Sequence, residues 1–352
     1  MGWCLTHAHD ITYCRVAVIQ LAHDVEPVIM KLSVVLNGAA GSLVDRPIEE
    51  AVEEVKRLFE EAGHTAEVTA AFGPDIVAAI DKAVASDADV VVVGGGDGTV
   101  ATAAGKVMGT GKALGILPLG TLNLYAKDLG IPLPIEEAVP LLARGTIKPM
   151  DVGDVNGTVF LNHSVLGLYP MMVQEREEVR ESRGLSKWPA MGIAMCKALK
   201  EYPLLRVRLQ TDRGTRRITT PILAVANNPY DEGFGAFLKR SHLDTGKLAL
   251  YLAKHRQPLK MAKMMVALVL GTWQRDAELE VMSLTEFTVK SRRRTLKVAN
   301  DGEVHRMEAP LHYRMLTGGL RILVPAESAE AAPAEVEDKP AEAPADPRRA
   351  SA

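Results

Sequence analysis

At 352 residues with 47% hydrophobic content, the chain is long enough for two compact domains with sizeable cores. Its formal charge of −3 supplies no global basic field for nucleic acid, so no nucleic-acid partner is expected. Three cysteines, Cys4, Cys14 and Cys196, show no disulfide pattern and no zinc spacing with histidine, which fits a reducing cytoplasmic setting.

Residues 1–29 mix apolar stretches with His7, His9, Asp10, His23, Asp24 and Glu26. They lack the basic start and apolar run of a secretory signal. Met30 stands just before an apolar strand pattern, so residues 1–29 read as an extension from an upstream start codon, expected to be disordered. No window reaches the ~18 uncharged apolar residues of a membrane span.

From residue 32 to about 144, strand and helix patterns alternate. Residues 32–36 read as a strand, followed by the small-residue loop Asn37, Gly38, Ala39, Ala40 and Gly41. Pro47 opens an amphipathic helix with Ile48, Val52, Val55, Phe59 and Ala62 on one stripe, and Gly63 ends it. A strand at 66–72 and a helix at 74–85 come next. Residues 90–93 are four valines in succession, the pattern of a strand buried on both faces. Helix 98–108, strand 114–117 and helix 121–129 complete the series. The alternation predicts a parallel sheet in an α/β nucleotide-binding domain over residues 30–149.

The second half changes character. Asn156-Gly157 between extended runs predicts a hairpin over 151–162. Strands are predicted at 205–210, 222–226, 248–252, 287–289, 296–299, 311–315 and 320–324. Helical patterns fall at 173–183 and 260–273. A mainly β, sandwich-like domain over residues 150–317 is expected. Residues 326–352, rich in Ala, Glu and Pro, are expected to be disordered.

The run Gly94-Gly95-Gly96-Asp97-Gly98-Thr99 follows the valine strand and opens a helix. Glycines let the backbone approach an anion, and the helix start presents free N–H groups to phosphates. Asp97 beside a phosphate calls for a cation, which suggests Mg²⁺. The plainer alternative is a strand-to-helix turn with Asp97 as cap. A second junction, Gly120-Thr121-Leu122-Asn123, lies in the same sheet, and ligands of such sheets collect beyond the carboxyl ends of the strands. Taken singly, it reads as a helix start with Thr121 as N-cap. Asn300-Asp301-Gly302-Glu303 reads as a hairpin turn.

Together these segments resemble the diacylglycerol-kinase-type lipid kinases, a superfamily that includes sphingosine kinases and is distantly related to NAD kinases. The resemblance rests on GGDGT at Gly95–Thr99, GTxN at Gly120–Asn123 and DGE at Asp301–Glu303. It spans residues 32–325. It implies an α/β domain and a β-sandwich-like domain, with the last strand near 318–325 returning to the first domain and the active site between the two. It implies ATP as co-substrate, Mg²⁺, a lipid acceptor and transient contact with a membrane surface. A homodimer is one assembly open to it.

Under this resemblance Asn37, Gly95, Gly96, Asp97, Gly98, Thr99, Gly120, Thr121 and Asn123 bind the nucleotide. Asp97 organises metal, and the turn is catalytic, with Asp301 as base and Glu303 beside it. Glu303 would raise one pKa of the pair by repulsion, or orient metal or substrate. Two departures stand out. Gly38 replaces the family's common Pro. Leu124 replaces the common Asp after Asn123, which moves any metal duty to Asp97 or to Asp128 one turn later. Two other readings fit GGDGT: an NAD kinase, and a non-catalytic nucleotide- or lipid-binding regulator. The Met261, Met264, Met265, Leu268 and Trp273 stripe reads as core or, with Lys260 and Lys263, as a membrane-leaning helix. Asn227-Asn228 reads as a cleft lining or an Asx turn.

Overall fold

A computed structural model describes residues 29–183, 204–231, 238–255, 257–273 and 276–326. Residues 1–28 and 327–352, which hold nearly all of the expected extension and tail, lie outside the described residues, as does each cysteine.

The first half alternates as its periodicity predicts. In chain order come β1 (Lys31–Asn37), α1 (Ile48–Glu61), β2 (Thr65–Ala71), α2 (Asp75–Ala85), β3 (Val90–Gly95), α3 (Asp97–Val107), β4 (Ala113–Pro118), α4 (Leu124–Asp128) and α5 (Ile135–Ala143). All six residues of β3 and of β4 are buried, because helices cover both faces of the sheet. Val55 and Phe59 of α1 and Ile80 of α2 are fully buried in this core. The helix α5 escaped the pattern reading. It carries Pro140 in its interior, a residue that argues against a helix from sequence alone.

The second half is β-rich. It comprises β5 (Thr146–Val155), β6 (Thr158–Phe160), β7 (His163–Gly167), α6 (Leu168–Arg183), β8 (Leu205–Thr211), β9 (Gly214–Thr220), β10 (Ile222–Asn227) and β11 (Leu248–Ala253). There follow α7 (Pro258–Val269), β12 (Leu279–Leu284), β13 (Glu286–Lys290), β14 (Thr295–Asn300), β15 (Glu303–Glu308) and β16 (Leu311–Val324). The β5–β6 hairpin turns at Asn156-Gly157, with φ of 51° and 84°, the positive values that a two-residue hairpin turn requires. Strands β7, β9 and β12 were not anticipated. β9 is exposed along nearly its whole length and so carries no buried–exposed alternation.

Residues 311–315 and 320–324 are two halves of one strand, β16, not two strands. The register against β5 shifts between Leu316 and Leu320, and Gly318 there has φ 60°. Such a bulge interrupts the period-two signal and hides the continuity.

The first sheet runs β2-β1-β3-β4-β16-β13-β8-β9, with β5 beside β16 and β6 beside β5. Strands β1 to β4 pair in parallel, and Ile322 of β16 pairs in parallel with Leu114 of β4. The second sheet is antiparallel, in the order β12-β11-β10-β7-β14-β15. The far part of the first sheet packs on the second through Phe160, Leu209, Val225, Leu250, Val289, Val298 and Tyr313. The fold is thus an α/β layer continued into a β-sandwich. The order 2-1-3-4 places a reversal of direction between β1 and β3, the point at which an open α/β sheet leaves a crevice for ligand.

Candidate active site

Three loops leave the carboxyl ends of β1, β3 and β4 and pack on one another. Asn37 ends β1. Its Nδ2 donates to Thr99 Oγ1 at 3.1 Å, and its Oδ1 accepts from the Ala39 amide at 3.1 Å. Ser42 donates through both its amide and its hydroxyl to Leu119 O, at 3.2 and 3.0 Å. The Leu119 amide donates to Gly95 O at 3.1 Å.

Glycine is required where these loops cross. A methyl group on Gly120 would stand 2.3 Å from Gly96 Cα, a backbone atom that cannot swing away. A methyl on Gly38 would fall 2.3 Å from the Phe72 ring, which covers that position after β2. The loss of the family's common Pro at 38 thus coincides with an aromatic lid on the loop.

The GTxN loop folds differently from the expected helix start. Thr121 is exposed and caps nothing; α4 begins at Leu124. Asn123, buried and left-handed with φ 50°, closes its own loop. Its Oδ1 accepts from Gly120 N at 2.8 Å, and its Nδ2 donates to Gly120 O at 2.9 Å and Pro118 O at 3.2 Å. The cap of α4 comes from the other motif. Asp97 Oδ1 accepts from the Leu124 amide at 2.8 Å and the Tyr125 amide at 3.5 Å. Asp97 is therefore a cap, but of α4; its own helix α3 is capped by Gly96. The carboxylate also offsets the partial positive charge at that helix start.

This arrangement bears on Mg²⁺. Leu124 offers no donor, and Asp128 is committed to an ion pair with Arg240 at 2.7 Å. One oxygen of Asp97 faces amides. Among the described residues no group of three or more His, Cys, Asp or Glu side chains is placed to hold a metal. A protein-held ion built on carboxylates does not fit these residues, and Asp128 is not the substitute ligand that its spacing suggested.

The third motif arrives from the sandwich. Asp301 and Gly302, with φ 47° and 90°, turn β14 into β15. Asp301 is 8% exposed. Its Oδ2 accepts from the Leu161 amide at 2.7 Å, and its Oδ1 accepts from Asn162 at 2.8 Å and His163 at 3.0 Å. Burial pushes this carboxyl up to about 6, while those amides and the Arg240 guanidinium pull it down. The rise thus comes from desolvation, not from repulsion by Glu303. Glu303 is exposed and points elsewhere. Its Oε1 lies so close to Gly98 that a methyl there would approach it to 2.5 Å. The DGE turn and the GGDGT loop therefore meet, and Glu303 is the carboxylate at the junction.

Arg240 and His163 carried no sequence signal. Arg240 is 1% exposed and makes four guanidinium hydrogen bonds and an ion pair. Nε donates to Asp128 Oδ2 at 2.8 Å. Nη1 donates to Leu161 O at 2.7 Å and Asn227 O at 2.6 Å. Nη2 donates to Asn162 Oδ1 at 2.7 Å and pairs with Asp128 Oδ2. Asn227 does not line a cleft: it is fully buried and donates to Asp151 O at 2.9 Å and Leu161 O at 3.0 Å. Asn228 takes φ 67° and accepts from the Thr245 amide at 2.9 Å. His163 Nδ1 shares a hydrogen bond with the Tyr230 hydroxyl at 3.1 Å, and burial lowers its pKa to about 4. It is neutral at neutral pH.

Residues 31–155 match the family model described as the diacylglycerol kinase catalytic domain. Residues 172–324 match the YegS C-terminal NAD kinase beta sandwich-like domain. A "Probable lipid kinase YegS-like" of Chromohalobacter salexigens is 30% identical over 66% of this chain and 74% of its own length. A protein of the same name from Shewanella frigidimarina is 27% identical over 63% of this chain and 72% of its own. The "Diacylglycerol kinase" of Bacillus subtilis is 33% identical over 31% of this chain and 37% of its own. A solved structure of a diacylglycerol kinase from Bacillus anthracis shares the fold, with a TM-score of 0.63 and 18% identity over 85% of this chain and 98% of its own. The chain belongs to the diacylglycerol-kinase-type family of lipid kinases, phosphotransferases with an alcohol acceptor.

Proposed function

We propose that the protein transfers the γ-phosphoryl group of ATP to a hydroxyl of diacylglycerol or a related lipid, in the crevice where Glu303 meets the GGDGT loop. That contact is the observation that carries the reading. It brings a carboxylate from the sandwich to the loop whose amides suit phosphate. Gly95, Gly96, Gly98, Thr99, Gly120 and Thr121 line the phosphate side, with Asn37 and Asn123 holding their loops in place.

Of the two carboxylates in the turn, Glu303 suits the base better than Asp301, which the family resemblance favoured. A base must reach the acceptor hydroxyl. Three backbone amides occupy the Asp301 oxygens, whereas Glu303 is exposed beside the phosphate loop. Asp301 anchors the turn. Such transfer depends on positioning and charge neutralisation. Mg²⁺ in this reading travels on the ATP phosphates as part of the co-substrate.

The lipid is reached from the cytoplasmic side of a membrane by peripheral contact. Helix α7 buries Met261 and Met264, while Leu259 and Val266 stand 70% and 59% exposed on its outer face with the exposed Lys263. Apolar residues interleaved with lysine suit an anionic lipid surface. No helix among the described residues is long and apolar enough to cross a membrane.

The test is a transfer assay with γ-labelled ATP on total lipid extract, with the product identified by mass. A labelled phospholipid is the expected result. Labelled NADP from NAD, with no lipid product, would instead identify an NAD kinase. Tight ATP binding without transfer to any acceptor would identify a regulator.

A further inference from the structure

The two halves of the site are joined by one unbroken hydrogen-bonded path. It starts at Asp97 of the phosphate loop, whose carboxylate caps α4. It crosses the five residues of α4 to Asp128, its last residue. Asp128 accepts from both the amide and the guanidinium of Arg240, at 3.0 and 2.8 Å. Arg240 holds Leu161 O and Asn162 Oδ1. The amides of Leu161 and Asn162 hold Asp301, two residues before Glu303.

We propose that Asp128 and Arg240 are a positioning pair: they set the DGE turn against the phosphate loop, and so align the acceptor hydroxyl with the γ-phosphate. The inference rests on the kinase reading above. Neither residue touches the proposed reacting atoms, and both act through the 161–163 segment. That segment joins β6 of the first sheet to β7 of the second, so its placement fixes how the sandwich meets the α/β layer.

Arginine is suited to this place and lysine is not. The planar fork offers five fixed donors, which here meet four acceptor atoms in three segments of chain. A lysine would keep the charge opposite Asp128 yet lose most of the fork. Arg240 also lies 5.7 Å from the centroid of the Tyr125 ring, between Asp97's cap and its own partner on α4. Arg240, Tyr125 and Tyr230 lie close enough to Asp301 to act on it electrostatically, and His163 meets it through its backbone amide. Burial keeps both tyrosines neutral, and His163 is neutral above about pH 4. Arg240 is therefore the cation that helps keep Asp301 ionised.

Two variants separate positioning from mere structure. Arg240→Lys keeps the charge and should lower kcat on the order of tenfold with KM for ATP unchanged, because misplacement of the turn costs rate and not nucleotide binding. The acidic limb of its pH profile should stay in place. Asp128→Asn combined with Arg240→Met removes both charges with little change in volume, a replacement that folded proteins often tolerate. Its kcat should fall likewise, and its acidic limb should move to higher pH as Asp301 loses its cation. Wild-type kcat and an unmoved limb in a folded double variant, or wild-type kcat in Arg240→Lys, would overturn the proposal. If the double variant does not fold, Arg240→Lys decides. Glu303→Gln serves as the control for the underlying reading. Should it keep full turnover, the base assignment fails, and the pair is then judged by the ¹³C titration of Asp301 in folded protein. An Asp301 titration identical in wild type and the double variant would overturn the pair's role independently of turnover.

Discussion

The two walls of the crevice are built by different means. The phosphate wall is built from shorter-range pieces: each of its loops directly follows a buried parallel strand, Asn123 closes its own loop, and the contacts between loops span 24 to 77 residues. The acceptor wall is long-range. Asp301 is held by residues 138 to 140 positions away, and Arg240 reaches Asp128 across 112. A wall made of turn chemistry can be read from a short motif. A wall made of distant side chains shows in sequence only as unrelated polar residues. The contrast also separates the carboxylates: Glu303 is placed to act on substrate, and Asp301 is placed to hold the wall.

The sharpest break of this comparison is Glu303→Gln. The group is exposed, so the melting temperature should not change, while kcat falls ~10²–10⁴-fold, the usual contribution of a general base. Asp301→Ala should behave in the opposite sense. It leaves buried amides unpaired and places alanine at φ 47°, so stability should fall by ~1–3 kcal/mol in denaturant titration. An Asp301→Ala protein of native stability without turnover would return the base to Asp301.

The second test is pH. Asp301 ionises at about 6 in the folded protein, above its ordinary 3.8. The ionised form is the stronger acceptor for its three amides and so holds the turn more firmly, and kcat/KM should rise with pH and level off above about 6. Stability moves the other way. The proton-linked stabilisation from this group is full below 3.8 and lost as pH rises through about 6, because the folded state holds that proton more tightly. A flat rate profile from pH 5 to 8 would sink the assignment.

Glycine substitutions probe the seam between the walls. Gly120→Ala drives a methyl into Gly96 Cα and should cost ~1–3 kcal/mol together with ATP affinity. Gly98→Ala meets only the far end of Glu303, which can swing aside, so it should spare stability and lower kcat. Equal stability losses for the two would argue that neither crossing is tight. The smallest effect is expected at Asp97. Asp97→Ala removes the cap of α4 at about 1 kcal/mol, and Asp97→Asn retains most of it, measured by thermal unfolding.

Much of the first half was legible because each element repeats one physical rule. The valine run of β3 and the stripe of α1 announce burial on both faces or on one, and Asn156-Gly157 announces its hairpin through positive φ. The pattern failed where tertiary context overrides it: Pro140 inside α5, the exposed β9, and the bulged β16, whose halves read as separate strands. Within the site, sequence alone determined that three glycine-bearing turns stand at strand ends, since only glycine tolerates such backbone approach. Tertiary structure alone decided which helix Asp97 caps, that Asp128 answers Arg240 and not a metal, and which carboxylate of the turn faces the phosphate loop. Those outcomes depend on groups from separate segments of chain, 27 residues apart for the Asp97 cap and 112 for Asp128 and Arg240, and in the buried pair the cost of an unpaired charge selects the partner.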